Sequence, residues 1–142
     1  MHTSASFDYA TLRIVPRVER EEFLNAGVIL FCLERRYLAC RIHLDEPRLT
    51  ALWPGLDLNA IRLHLEAVEK ICTGDPNGGP MAALSQRERF HWLTAPRSTI
   101  LQTSPVRTGI CTKENDGCQD LDSRLDDIAQ RMLGSYKALT TS

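Results

Sequence analysis

Eight consecutive residues, Ala26-Gly27-Val28-Ile29-Leu30-Phe31-Cys32-Leu33, carry no polar side chain. A run this short, rich in β-branched and aromatic residues, reads as a strand buried on both faces. No other segment limits the fold as much, because the sheet that holds this strand needs cover. Residues 7–15 alternate in polarity and read as an earlier strand, ended by Pro16. Residues 17–23 (RVEREEF) are charged and read as a loop or one helical turn. Glu34-Arg35-Arg36 makes a polar turn, and residues 37–43 return as a third strand, so the apolar run is one arm of a hairpin. Gly27 sits inside that run, where Gly is about 0.5–1 kcal/mol less favourable than Ala unless geometry demands it. A bulge or a close backbone approach is expected there.

Helical spacing takes over after the hairpin. Asp57 is a good N-cap, and Leu58, Ile61, Leu65, Val68, Ile71 and Cys72 fall on one stripe. Residues 48–53 read as a shorter helix stopped by Pro54-Gly55. Residues 73–80 (TGDPNGGP) form a flexible loop by composition. Ser85 and Glu88 have the capping-box spacing, with Phe90, Trp92 and Leu93 following. Residues 99–103 read as a fourth strand, ended by Pro105. Residues 111–119 read as a polar loop. Asp120 or Asp122 then caps a last helix with the stripe Leu121, Leu125, Ile128, Ala129, Met132, Leu133, Tyr136. Strands cluster early and return once, which predicts an α+β fold. A mainly antiparallel sheet of about four strands is packed with two main helices on one or both faces. Val28, Leu30, Phe31, Leu65, Val68, Leu125 and Ile128 are its expected core. The 142 residues fit a single globular domain.

Charge excludes some functions. Seventeen basic residues against eighteen acidic give a net charge of −1, not the basic body of a bulk nucleic-acid binder. Nucleic acid is therefore an unlikely partner. No apolar stretch is long enough to span a membrane, and the N-terminus lacks a secretory signal pattern, so a cytoplasmic protein is expected. The five cysteines are irregularly spaced and fit reduced thiols that behave as small hydrophobes. With no CxxC, HxxxH or HExxH, no metal site is predicted. No phosphate loop, GxGxxG or GxSxG is present, and neither a catalytic constellation nor a cofactor motif is apparent.

Two polar groups are candidate sites. The first is Arg13, Arg17, Glu19, Glu22 and Asn25, at the junction of the first two strands. The second is Arg97, Ser98 and Thr99 just before the fourth strand, with Arg107 just after it. Arginine forms planar, bidentate pairs with carboxylate or phosphate, so each group reads as an anion- or partner-binding rim. Each also reads as a salt-bridged or self-satisfied connector. If the fourth strand adds to the free edge of the first, Arg13 and Arg97 are expected to converge, with Glu19 and Glu22 as the available carboxylates.

Two runs carry a family resemblance. The first is Tyr9, Arg13-Ile14-Val15-Pro16 and Glu22-Phe23-Leu24-Asn25-Ala26-Gly27-Val28-Ile29-Leu30. The second is RFHWLTAPRSTILQTSPV over residues 89–106. Together they resemble the bacterial family catalogued as domain of unknown function 3037, over nearly the whole chain. The sequence departs from the family pattern at Arg107, where the pattern carries a His. The resemblance implies no activity. It implies an accessory or regulatory role beside a HipA-like kinase encoded nearby. The leading expectation is thus a cytosolic accessory or binding module. The alternative is a small enzyme or ligand-binding domain that takes a phosphorylated or nucleotide ligand through an Arg-lined site.

Overall fold

The computed structural model describes residues 4–97, 99–111 and 121–134. Its fold is α+β, with one antiparallel sheet between two helical layers. The early strands are β1 (Ala5–Ile14), β2 (Leu24–Cys32) and β3 (Tyr37–Ile42). They are followed by α1 (Glu46–Leu52), α2 (Leu58–Thr73), α3 (Gln86–Thr94), β4 (Leu101–Thr103), β5 (Arg107–Cys111) and α4 (Leu121–Leu133). The sheet order is β3-β2-β1-β4, and β5 also pairs with β1. The late return does join the free edge of β1.

The return consists of two strands where the sequence suggested one, so the sheet has five strands. β4 lies beside Leu12–Ile14 and β5 beside Ala5–Tyr9. Pro105 explains the break, since it has no N–H for the ladder. Ser104 repairs it. Its N–H donates to the Thr11 carbonyl and its hydroxyl accepts the Thr11 N–H, both at 2.9 Å. Pro105 and Val106 then face Ala10 together, a one-residue bulge. β5 takes in Cys111, where the sequence predicts the start of a polar loop. Residues 112–119 of that loop, the Asp120 cap and Tyr136 lie outside the described residues.

β2 explains why its apolar run has no period of two. Val28, Leu30 and Cys32 pack with Phe7, Leu121, Leu125, Ile128 and Ala129 on the α4 side. Ile29 and Phe31 pack with Leu12, Val68, Ile71, Phe90 and Leu93 on the α2–α3 side. A third cluster, Ile14, Leu24, Ala26, Leu49, Ile61 and Leu65, ties α1 and α2 to the strand ends. All seven expected core residues are buried.

Caps fix the helix starts. The Asp45, Asp57 and Ser85 side chains each accept an N–H from their helix's first turn. The Ser85 hydroxyl also donates to the Glu88 carboxylate at 2.9 Å, adding a second link across the same turn. α2 ends on Gly74 at φ 74°, a left-handed cap, and the segment after it winds into two 3-10 turns. Cys32, Cys40 and Cys72 are free thiols. Cys111 is disulfide-bonded, against the expectation of reduced thiols throughout, and its partner lies outside the described residues.

Candidate functional site

Every residue of β2 is buried except Asn25, and the register places it opposite Arg13. Leu12 pairs with Gly27 and Arg13 with Asn25, so Ala26 is an extra residue in β2. This bulge sends Ala26 into the α1–α2 cluster and turns Asn25 to the α4 side. There the Asn25 Nδ2 donates to the Met132 carbonyl at the end of α4, 3.0 Å away. That bond fixes the amide, because a flip would set Oδ1 against a carbonyl. Among the described residues, the buried Asn25 Oδ1 and the buried Nε of Arg13 have no hydrogen-bond partner. The Arg13 guanidinium lies over the Phe23 ring, 4.1 Å from its centroid.

Magnitudes show that this pair is poorly satisfied within the fold. A cation over an aromatic ring gains about 0.5–1 kcal/mol when exposed. Each buried, unpartnered polar atom costs about 1–3 kcal/mol, and the pair holds two. The carboxylates expected to pair with Arg13 are elsewhere. Glu22 binds Arg20 at 2.8 Å in an exposed pair, and Glu19 is exposed on a 3-10 turn.

More arginine gathers on the same side of the sheet. Arg107 sits opposite Tyr9, on the face that Arg13 shares and roughly 13 Å along the strand at about 3.3 Å per residue. Arg124 of α4 lies near the Phe7 ring, 5.8 Å from its centroid. Arg131 falls on the same helical stripe seven residues on. The acidic flank of α4 turns the other way. Asp126 accepts from the Arg41 Nε at 2.7 Å, and Asp122 accepts from the Tyr37 hydroxyl. Burial, then the bond to Asp122, pushes the Tyr37 hydroxyl up. Burial works against the Arg41 cation, but Asp126 outweighs it and the guanidinium is held more firmly protonated than usual. The helix thus turns Asp122 and Asp126 toward β3, while Arg124 and Arg131 share the other flank with Asp127.

Arg17 takes no part in the Arg13 shelf. With Arg20 and Glu22 it lines an open cleft of about 540 Å³ against Trp53 and Pro54. Arg97 is also elsewhere. Its guanidinium lies over Trp92, 4.1 Å from the ring centroid, and donates to the Leu93 and Trp92 carbonyls. With Thr99 it borders a groove against α2, and the Thr99 hydroxyl donates to the Leu101 carbonyl at 2.7 Å. Ser98 lies outside the described residues. The expected convergence of Arg13 and Arg97 fails for a specific reason. The backbones do meet, since the Val15 N–H donates to the Ile100 carbonyl at 2.6 Å. The last carbonyls of α3, however, catch Arg97 on the α2–α3 side of the sheet, while the alternation of β1 sends Arg13 to the α4 side.

Sequence reasoning named Arg13, Asn25 and Arg107 but missed Phe23 and Trp92, the aromatic platforms under two of the arginines. The signal was present. Each is a large aromatic in a polar segment, and both are exposed. Among the described residues, no group of three or more His, Cys, Asp and Glu could hold a metal ion, and no helix is long and apolar enough to cross a membrane.

Compared with known proteins, residues 9–128 match the model of a family described as Protein of unknown function (DUF3037). No curated protein and no solved structure matches the chain.

Proposed function

The chain belongs to the DUF3037 family of proteins of unknown function, and we propose that it is an accessory module that docks an acidic segment of a partner protein on the shelf formed by Arg13, Phe23 and Asn25. One observation carries this reading: Arg13 is a half-buried cation with no carboxylate partner among the described residues. A side-chain carboxylate of a peptide segment would pair with the Arg13 guanidinium. Arg107, exposed on the same face, extends the attraction and steers the approach. A site for acidic peptide fits a chain of net charge −1, because the basic residues are local rather than spread over the body.

The partner we propose is the one implied by the family resemblance, a HipA-like kinase encoded beside this chain. Co-expression of the two and capture of one by the other, in rising salt, tests the reading. Wild type is expected to capture the kinase. Arg13→Met should lose capture by roughly tenfold or more, and Arg13→Lys should recover only part of it, because Lys lacks the planar fork. Capture by Arg13→Met equal to wild type would remove the shelf from the interface. A wild-type chain that captures nothing would remove the kinase.

A further inference from the structure

A second concavity lies on the opposite layer, and its reading does not depend on the Arg13 shelf. Val68 and Ile71 of α2 and Leu101 of β4 line it, Trp92 of α3 forms one wall, and His64 and Arg97 stand at its rim. Its volume is about 230 Å³, below the roughly 300–1,000 Å³ of sites for drug-sized ligands. It admits one short apolar group, such as a phenyl ring or a small branched chain, and not a nucleotide. The lining is mostly apolar, yet one cation is held at its border.

That cation is already oriented. The Arg97 Nη1 and Nη2 donate to the Leu93 and Trp92 carbonyls at the C-terminus of α3, and the guanidinium carbon lies over the Trp92 ring. Both Nη groups are thus used at the end of the fork. The side edge, Nε–H with the adjacent Nη–H, has no protein partner among the described residues. Two parallel donors on one edge match the two oxygens of a carboxylate. Because the ring and the helix end already order the side chain, little freedom is lost when a ligand binds.

We propose that this groove binds an apolar carboxylate, with the hydrocarbon against Val68, Ile71 and Trp92 and the carboxylate on the side edge of Arg97. Two sources present this chemistry: a free short-chain or aryl acid, and the C-terminal carboxylate of a peptide that ends in an apolar residue. The test is amide NMR of the full chain titrated with phenylacetate and with N-acetyl-glycyl-phenylalanine, each run beside its neutral carboxamide. The acids should give saturable shifts at Val68, Ile71, Leu101 and the Trp92 indole N–H. The carboxamides should bind roughly tenfold or more weakly. Arg97→Met should weaken the acids to the level of the carboxamides and leave carboxamide binding unchanged. Tighter binding of phenylacetate assigns the site to a free acid, and tighter binding of the dipeptide assigns it to a chain terminus. Equal binding of acid and carboxamide, saturable shifts centred elsewhere, or no saturable shift in the millimolar range overturns the proposal. The acid-against-amide comparison needs no mutation, so it stands even if Arg97→Met fails to fold.

Discussion

At the scale of single residues, the structure separates positions that serve packing from one that does not. Gly27 serves packing. A Cβ there would stand 2.8 Å from the Leu12 Cδ1 and 3.0 Å from the Arg41 carbonyl oxygen, so neither a rotamer change nor free space absorbs it. Gly27→Ala should cost about 1–3 kcal/mol by overpacking, read as a lower midpoint in a urea melt. Gly55, with nothing within 4 Å of its Cβ position, is the control and should stay within about 0.5 kcal/mol of wild type. Arg13 behaves in the opposite way. Its cation is half-buried with no carboxylate partner among the described residues, so Arg13→Met should leave stability unchanged or raise it by up to about 2 kcal/mol. Clear destabilisation by Arg13→Met would mean that the guanidinium braces the fold and is no docking group. Tyr37 gives a pH prediction. Its folded pKa lies above the unfolded value of about 10, so its contribution is complete below pH ~10. Above that, the unfolded chain ionises first and stability falls. Tyr37→Phe should flatten this alkaline loss, and an identical alkaline limb in the two proteins would contradict the assignment.

Among the elements, the α2 stripe and the α3 cap were both legible in the sequence, because helical spacing and capping depend on near neighbours. Leu65 of α2 is buried against α1 and the strand ends. Leu65→Ala should cost about 2–5 kcal/mol, and an unchanged melt would mean the stripe does not face the sheet. Ser85→Ala removes both the acceptor for the Glu88 N–H and the donor to its carboxylate, and should cost about 0.5–2 kcal/mol. β5 was not legible. Its residues, RTGIC, carry only a weak alternation after a proline that reads as a stop. What makes it a strand is the unused edge of β1, which belongs to the tertiary structure.

For the whole molecule, one sheet is the wall between two helical layers, and the clusters on its faces share strands rather than side chains. Leu65→Ala on one layer and Ile128→Val on the other should therefore add in free energy to within about 0.5 kcal/mol, in a single cooperative transition. Two separate transitions would show that the layers melt independently. Several elements rest on local physics and were legible along the chain. The doubly buried strand and its hairpin, the amphipathic α2 and α4, the caps at Asp57 and Ser85, and the close approach at Gly27 all follow from periodicity, propensity and sterics over a few residues. Only the tertiary structure decided which arginines share a face. One inserted residue, Ala26, turns Asn25 toward Arg13 and α4, while the end of α3 holds Arg97 on the other layer. Side-chain direction at a strand end reverses with a single-residue shift in register, and spacing along the chain does not carry that information.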